Sequence, residues 1–289
     1  GSRPLDIHLH ALKCLGASWS VSEDFIEMET TGLHPSEITL RFPSVGATEN
    51  ALMAAAAQCG TTVLYNAAKE PEIESLCAYL EKCGAVITGA GTECVRVRGK
   101  GVLQSAEFFA KPDRIVAGTY MAAVTATGGN VLVQNVIPKH LDCITAKLVE
   151  MGIAIEEQGD SIRVTRQHDI QRTNIKTMPY PGFPTDMQPQ MAAVLCLANG
   201  GTSIINEGIW ENRFRYVDEF KRMGAAIQVD GKIAVIEGVG HLTGAPLRAC
   251  DLRAGAAMVI AGLAASGTTE ISCIHFIERR YENLGGKLR

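Results

Sequence analysis

The sequence predicts an α/β fold in which buried helices are surrounded by sheets, arranged as two domains built from repeated units. Glycine motifs recur along the chain with a period of about 70 residues, and the same order of predicted helices and strands follows each of them. The chain has 289 residues. Since a typical domain has about 100 to 200 residues, this length corresponds to about two domains.

Two series of glycine motifs share one period. The first series closes helical patterns and is spaced by 68, 68 and 72 residues: Gly16-Ala17, Gly84-Ala85, Gly152-Ile153 and Gly224-Ala225. The second series precedes segments of strand character and is spaced by 69, 72 and 66 residues: Gly60-Thr61-Thr62, Gly129-Asn130, Gly201-Thr202 and Gly267-Thr268-Thr269. Interlocking series with one period indicate internal repetition of a block that holds several elements.

Each repeat opens with a helix that we expect to be buried. These helices begin at residues that often cap helices, namely Ser44, Asp113, Thr185 and Asp251. Alanine and other apolar residues cover almost every face of the helices, as in residues 51–57, 121–126 and 256–265. A helix without a polar face belongs in the interior.

A second helix and a hairpin complete each unit. Residues 71–83 and 213–223 have one polar face and are predicted to be outer helices. Residues 226–235 alternate in polarity around Asp230-Gly231, a strong turn signal between strands. We place the domain boundary near Lys111-Pro112, which gives predicted domains of residues 1–111 and 112–289.

Asp186 is the candidate functional carboxylate. Its segment, residues 181–191, contains two prolines that keep the chain extended up to Thr185. Thr185 and Gln188 have the spacing of a capping box, which predicts that a helix begins here with Asp186 in its first turn. The helix dipole favours the ionised carboxylate at that place. Asp186 is then either a base or acceptor, or a residue that only stabilises the helix start.

Four further segments are candidate anion sites. Residues 42–48 lead into a helix through small residues, so backbone N–H groups are open to a phosphate. Arg213 and Arg253 lie at predicted helix entrances, and Arg279-Arg280 holds the same place in the last unit. Guanidinium groups bind carboxylates and phosphates through paired hydrogen bonds. An ordinary serine cap and surface ion pairs are the alternative interpretations.

Composition argues against several classes of protein. A net charge of −4 provides no basic field for nucleic acid. The longest apolar run, residues 256–265, is far below the ~20 residues of a membrane span. Nine cysteines without a CxxC pair indicate reduced thiols and a cytoplasmic protein. The seven histidines do not cluster, and we expect neither a metal nor another cofactor.

Seven collinear motifs together identify a family. The chain resembles, over essentially its whole length, the UDP-N-acetylglucosamine 1-carboxyvinyltransferase family of enolpyruvyl transferases. The motifs are Arg3-Pro4-Leu5-Asp6, Pro43-Ser44-Val45-Gly46-Ala47-Thr48-Glu49-Asn50, Pro112-Asp113-Arg114, Gly182-Phe183-Pro184-Thr185-Asp186-Met187-Gln188, Glu211-Asn212-Arg213-Phe214, Asp251-Leu252-Arg253-Ala254 and Arg279-Arg280-Tyr281-Glu282.

The resemblance implies a fold and a reaction. The family's fold is an inside-out α/β barrel of two domains, each made of three repeated units, with the active site in the cleft between them. The implied reaction transfers the enolpyruvyl group of phosphoenolpyruvate to the 3-hydroxyl of UDP-N-acetylglucosamine and releases phosphate. This reaction is the first committed step of peptidoglycan synthesis, and its partners are these two small-molecule substrates, without nucleic acid or membrane.

The resemblance also implies residue roles. Asp186 would take the proton from the sugar hydroxyl, while Arg3 would lie beside the phosphate of phosphoenolpyruvate. Arg213 and Arg279 would face its carboxylate, and Asp251 and Arg253 would line the same pocket. The remaining substrate-binding positions are Arg3, Pro4, Leu5, Asp6 and Ile7 for the uridine end, Phe42, Pro43, Ser44, Val45 and Gly46 for the diphosphate, and Ile209 for the sugar.

The sequence departs from the family pattern. A lysine-asparagine pair, an arginine and a mobile loop with a cysteine acid precede the position of Arg3 in the family, and none stands in this sequence. Cys14 lies in a predicted helix and is not assigned that role. Arg280 replaces a common glycine, where it could crowd the carboxylate end. Counting units, we expect a first domain truncated at its N-terminus and a second domain lacking its last strand.

Two alternatives to this enzyme remain open. The first is a folded but inactive module that binds the nucleotide sugar without turnover. The second is 3-phosphoshikimate 1-carboxyvinyltransferase, although the motifs around Ser44 and Asp186 favour the nucleotide-sugar enzyme. RNA 3'-phosphate cyclase shares related units, but the acidic balance of this chain argues against it.

We predict that these 289 residues alone do not transfer an enolpyruvyl group. The candidate base and three arginines are present, whereas the family's cysteine acid is not, and loss of a positioned acid typically costs about 10² to 10⁴ in rate. A phosphate-release assay with both substrates is the measurement. Turnover of about 1 to 10³ per second, the usual range for enzymes, would contradict the prediction.

Overall fold

The computed structural model describes residues 5–23 and 25–287. The chain forms two compact units. The first unit comprises Gly1–Lys111 with the short segment Pro179–Pro181, and the second comprises Pro112–Met178 with Gly182–Arg289. Among the described residues, no helix is long and apolar enough to cross a membrane.

The described part of the first unit contains three helices and two sheets. The helices are α1 (Asp6–Cys14), α2 (Val45–Ala56) and α3 (Pro71–Lys82). The strands are β1 (Ser18–Val21), β2 (Ile26–Glu29), β3 (Glu37–Thr39), β4 (Cys59–Tyr65), β5 (Val86–Thr88) and β6 (Cys94–Lys100). β1 and β2 form an antiparallel hairpin. The other four form a sheet in the order β3-β4-β6-β5, with β3 parallel to β4 and the remaining pairs antiparallel.

Helix α2 forms the centre of the first unit. It packs against α1, α3 and the four-stranded sheet. Its buried positions include Ala47, Ala51, Ala55 and Ala56, whose small side chains allow the neighbouring elements to approach closely. The alanine-rich helix is therefore an interior element, as its sequence predicts.

The second unit is larger and follows the same scheme. Its helices are α4 (Arg114–Thr127), α5 (Asp142–Glu150), α6 (Gln188–Cys196), α7 (Val217–Arg222), α8 (Leu252–Ala264), α9 (His275–Glu278) and α10 (Leu284–Lys287), with 3-10 turns at Pro138–Leu141 and Thr185–Met187. Its strands are β7 (Gly129–Val133), β8 (Ala154–Gln158), β9 (Ser161–Arg166), β10 (Ile175–Lys176), β11 (Thr202–Asn206), β12 (Ala226–Asp230), β13 (Ile233–Glu237), β14 (Leu242–Thr243), β15 (Pro246–Arg248), β16 (Ala265–Ser266) and β17 (Glu270–Ser272).

Three buried helices form the core of the second unit. Helices α4, α6 and α8 pack against one another, and all nine residues of α6 are buried. The strands pair as β7-β9-β8, β10-β11-β13-β12, β14-β16 and β15-β17, and each core helix contacts strands of its own repeat. In the described residues these sheets stay separate, without closing into one hydrogen-bonded barrel. Helices inside and sheets outside are the inverted layering that the sequence predicts.

The glycine motifs mark equivalent turns in successive repeats. Gly84, Gly152 and Gly224 end α3, α5 and α7 with φ angles of +107°, +86° and +89°. Residues with a Cβ rarely adopt such angles, whereas glycine adopts them readily. A hairpin follows each of them: β5-β6, β8-β9 and β12-β13. The predicted order of outer helix, glycine and hairpin is thus confirmed.

The starts of α6 and α7 differ from prediction. Three of the predicted cap residues, Ser44, Asp113 and Asp251, do cap α2, α4 and α8 through side-chain oxygens that accept backbone N–H groups. Thr185 instead opens a 3-10 turn, and α6 begins at Gln188. Helix α7 was predicted from residue 213 but begins at Val217.

A left-handed residue explains the late start of α7. Asn212 has a φ of +54°, which no right-handed helix can include. Two aromatic side chains that follow, Phe214 and Tyr216, are buried in the core, and they orient the chain before the helix forms.

Asp113 has two tasks at the start of α4. Its Oδ1 accepts the N–H groups of Ile115 and Val116 at 2.8 and 3.2 Å, and its Oδ2 accepts Arg280 Nε and Nη2 at 2.8 and 2.5 Å. Burial works against the charge, but the hydrogen bonds and charge of Arg280 together with the two N–H groups lower the pKa of Asp113. Arg280 thus has Asp113 as a partner within this unit.

We predict that Asp113→Ala destabilises the second unit more than Asp113→Asn does. Alanine loses the cap, which is worth about 1 kcal/mol, while asparagine keeps a cap acceptor and loses only a partly exposed ion pair. Folding lowers the pKa of Asp113, so its charge contributes fully to the stability of the folded unit at any pH above the unfolded value of about 3.9. This contribution is lost as pH falls through the lower pKa of the folded state. Urea unfolding should therefore show the wild-type advantage over Asp113→Asn at pH 7 and its loss below about pH 4. An equal advantage at both pH values would contradict this assignment.

Candidate active site

Asp186 lies in the 3-10 turn Thr185–Met187, directly before α6. The predicted capping box is wrong. The Thr185 hydroxyl donates to Glu207 Oε2 at 2.9 Å, and the amide of Gln188 has no partner among the described residues. Pro189 stands in the first turn of α6, where a missing N–H needs no acceptor. The Asp186 carboxylate is consequently not used as a cap.

Two guanidinium groups hold this carboxylate. Asp186 Oδ1 accepts Arg213 Nη2 at 2.9 Å, and Oδ2 accepts Arg253 Nη2 at 2.8 Å. The side chain of Asp186 is 38% exposed, while those of Arg213 and Arg253 are 18% and 9% exposed. The arginines are therefore mostly shielded, and the carboxylate between them is open to a ligand.

Each arginine comes from its own segment. Arg213 lies in the turns before α7, which corrects its predicted place at a helix entrance. Arg253 is in the first turn of α8, which begins as the sequence predicts. Asp251 caps that helix, with Oδ1 accepting the N–H groups of Arg253 and Ala254 at 2.8 and 2.9 Å. Asp251 therefore fixes the backbone that carries Arg253.

The electrostatics of the cluster favour three charged groups. Burial of Asp186 opposes ionisation, but the charges of Arg253 and Arg213 and their hydrogen bonds outweigh it and lower the pKa of Asp186. Burial likewise opposes the charge of Arg253, and Asp186 raises its pKa in return. One carboxylate and two guanidinium groups leave the cluster with a net charge of +1.

The cluster keeps unused hydrogen-bond donors. Arg253 Nη1 and Arg213 Nε are buried and have no partner in the described part of the chain. A guanidinium has five N–H donors, so each arginine can hold Asp186 and a second acceptor together. Spare buried donors with a net positive charge are suited to a carboxylate or phosphate ligand.

The other residues predicted for this site have different surroundings. Arg279 is exposed and follows α9, so its predicted place at a helix entrance is wrong. Its side chain makes no hydrogen bond or ion pair with another described residue. Ile209 is half-buried, and its N–H donates to Glu207 Oε1 at 2.9 Å. The structure thus brings Arg213 and Arg253 to Asp186, and it adds Glu207 beside them.

The predicted nucleotide residues that the structure describes lie at the starts of α1 and α2 in the first unit. Leu5 precedes α1, and Asp6 in its first turn pairs with Arg41. Ser44 caps α2, and a Cβ added to Gly46 would lie 2.9 Å from the His8 ring, so glycine lets α1 approach the start of α2. The expectations for Arg3 and Pro4 lie outside the described residues. Within the described ranges, no three His, Cys, Asp or Glu side chains are grouped as a metal site requires.

Glu207 is a candidate functional residue that the sequence motifs do not reveal. The side chain is 1% exposed and accepts hydrogen bonds from Thr177, Thr185 and two backbone N–H groups. A lone acidic residue after the strand-like run 203–205, close to Arg213, was the available signal. In the sequence, Glu207 looks like an ordinary surface glutamate, because the residues that donate hydrogen bonds to it lie up to 30 positions away.

A family model described as EPSP synthase (3-phosphoshikimate 1-carboxyvinyltransferase) matches residues 1–288. The chain is 50% identical over 289 residues to UDP-N-acetylglucosamine 1-carboxyvinyltransferase 1 of Caldanaerobacter subterraneus subsp. tengcongensis, covering all of this chain and 69% of that protein. It is 51% identical over 284 residues to the protein of the same name from Carboxydothermus hydrogenoformans, covering 98% of this chain and 67% of that protein.

Two solved structures share the fold. The enolpyruvyl transferase NikO from Streptomyces tendae matches 99% of this chain and 71% of its own, with a TM-score of 0.85 and 25% identity. An EPSP synthase from Acinetobacter baumannii matches 96% of this chain and 68% of its own, with a TM-score of 0.72 and 18% identity. At that lower identity, the second likeness concerns the fold alone. The enolpyruvyl-transferase fold expected from the sequence is thereby confirmed.

We predict that Arg253→Met raises the pKa of Asp186. Methionine removes the strongest charge that opposes the burial of the carboxylate, so burial then dominates. Titration of the Asp186 side-chain carboxyl by ¹³C NMR measures the shift. Arg215→Met, which removes an exposed arginine two positions from Arg213, is the matched control and should leave the pKa in place. An unchanged Asp186 pKa in Arg253→Met would contradict the electrostatic account.

Proposed function

The chain belongs to the UDP-N-acetylglucosamine 1-carboxyvinyltransferase family of enolpyruvyl transferases, and we propose that it serves that reaction. The enolpyruvyl group of phosphoenolpyruvate is transferred to the 3-hydroxyl of UDP-N-acetylglucosamine, and phosphate is released. The observation that carries the proposal is the bridged Asp186, whose two arginines come from family motifs and retain unpaired donors.

The arginines supply the binding of phosphoenolpyruvate in this proposal. Its carboxylate and phosphate are both anions, and Arg213 Nε and Arg253 Nη1 are donors without another acceptor among the described residues. We assign the carboxylate to Arg213, together with Arg279, and place Arg253 and Asp251 along the same pocket. Arg279 is exposed and its side chain has no described partner, so it can turn towards a bound substrate.

Asp186 is the proposed general base. Its carboxylate is ionised at neutral pH and 38% exposed, so it can accept the proton of an incoming hydroxyl. The same arginines that keep it ionised also weaken it as a base. When an anionic substrate binds the spare N–H donors of the two arginines, its negative charge offsets their positive charge. The pKa of Asp186 then rises, and Asp186 becomes a stronger base.

The first unit is the proposed nucleotide-sugar side. Ser44 and Gly46 open α2, where backbone N–H groups and the helix dipole favour a diphosphate. Residues 3–7 are assigned to the uridine end, residues 42–46 to the diphosphate and Ile209 to the sugar. The second predicted domain, residues 112–289, then carries the base and the arginines.

Relatives at about 50% identity favour this substrate over the alternative acceptor, 3-phosphoshikimate. The EPSP synthase structure shares the fold at 18% identity, which does not support a shared acceptor. We further propose a cytoplasmic location and a contribution to cell wall biogenesis, and through it to cell shape and division. These follow from the proposed reaction.

We predict that Asp186→Asn in the full-length gene product retains binding of UDP-N-acetylglucosamine and loses turnover. The amide is nearly isosteric with the carboxylate but cannot accept the proton, so turnover should fall by about 10² to 10⁴. Phosphate release measures turnover, and calorimetry measures binding. Asp218→Asn, which neutralises an exposed carboxylate on α7, should behave as wild type. Near-normal turnover of Asp186→Asn would refute the base assignment.

A further inference from the structure

Glu207 is a buried carboxylate outside the cluster described above. It directly follows β11, and its residue is 1% exposed. In the part of the chain that the structure describes, no lysine, arginine or histidine forms an ion pair with it. Burial of a carboxylate costs free energy unless hydrogen bonds replace the water that it loses. The groups around Glu207 must therefore supply those hydrogen bonds.

Four neutral donors satisfy this carboxylate. Glu207 Oε1 accepts the Thr177 hydroxyl at 2.8 Å and the N–H groups of Ile209 and Trp210 at 2.9 and 3.0 Å. Its Oε2 accepts the Thr185 hydroxyl at 2.9 Å. Every contact is a donor, which suits an ionised carboxylate better than an amide.

These bonds join the segments that carry Asp186 and Arg213. Thr185 is the residue before Asp186, and the N–H groups belong to the loop that runs from β11 towards Arg213. Thr177 adds a third segment, since its hydroxyl also accepts the Gly208 N–H at 2.8 Å. A weaker contact of 3.5 Å runs from Arg213 Nη2 to the Thr185 carbonyl. The turn of Asp186 and the loop before Arg213 are therefore both hydrogen-bonded to the Glu207 carboxylate.

We propose that Glu207 is a positioning residue that sets the distance between the Asp186 carboxylate and the Arg213 guanidinium before substrate binds. Its catalytic consequence rests on the function proposed above. The carboxylate does not touch the reacting groups. It holds the turn of Asp186 through the Thr185 hydroxyl and the loop of Arg213 through two backbone N–H groups.

Two nearly isosteric substitutions test the proposal. Thr185→Val removes the hydroxyl and keeps the shape, while Thr185→Ser keeps the hydroxyl. Glu207→Gln removes the charge and directs N–H donors at a site where every partner is a donor. Glu237→Gln, at an exposed carboxylate at the end of β13, is the matched control.

Three measurements are made on each variant. The pKa of Asp186 is read by ¹³C NMR, thermal unfolding reports folding, and kcat and KM are measured in the full-length gene product. We expect Thr185→Val and Glu207→Gln to raise the pKa of Asp186 and to lower kcat about 10- to 100-fold at nearly constant KM, because misplacement of reacting groups costs this much. Thr185→Ser and Glu237→Gln should match wild type. The Thr185→Val/Glu207→Gln double variant should be no worse than Glu207→Gln alone, since Glu207→Gln already disrupts the contact that Thr185→Val removes.

Opposite results separate the two claims. The positioning role would be overturned if folded Thr185→Val had a normal Asp186 pKa and a normal kcat. It would also be overturned if Thr185→Ser were as impaired as Thr185→Val. Both conclusions hold even if Asp186→Asn is inactive. A fully active Asp186→Asn would overturn the proposed base and with it the catalytic consequence of Glu207. The Asp186 pKa in the same variants would then still decide whether Glu207 positions the ion pair.

Discussion

The second unit depends on one electrostatic constraint, the sharing of the Asp186 carboxylate between Arg213 and Arg253. A guanidinium as shielded as Arg253, with 9% of its side chain exposed, is unfavourable without a nearby negative charge. The three side chains come from a turn before α6, the turns before α7 and the first turn of α8. The two shielded guanidinium groups are therefore stabilised only when these segments are correctly placed, so the folding of the segments and the assembly of the site are linked.

The repeated architecture gives the same structural place different tasks. Asp113 and Asp251 stand at the starts of α4 and α8, and each uses its Oδ1 to accept two backbone N–H groups. At the start of α6, the corresponding place is a 3-10 turn that contains Asp186, with Pro189 inside the first helical turn. The helix start no longer needs the carboxylate there, and both of its oxygens face arginines instead. A change in backbone geometry thus converts a capping position into a candidate catalytic one.

The features that the sequence predicted correctly are those determined by near neighbours. The glycine turns after α3, α5 and α7, and the caps Asp113 and Asp251, depend on residues a few positions away. Thr185 was assigned a local cap because its partner Glu207, 22 positions further on, has no local signature. Asp186, Arg213 and Arg253 were recognised singly from their motifs, while the ion pairs that join them span 27 and 67 positions and depend on the packing of distant segments.

The contact between Asp113 and Arg280 joins residues separated by 167 positions, from the first helix of the second unit to the turn after α9. During translation, α4 therefore emerges with its backbone cap alone and gains this ion pair only after a further 167 positions have been synthesised. Contacts of such long sequence separation form late, because a large loop must close first. The nascent chain consequently lacks this ion pair until Arg280 has left the ribosome, so the cap and the ion pair of Asp113 become available at different stages of synthesis.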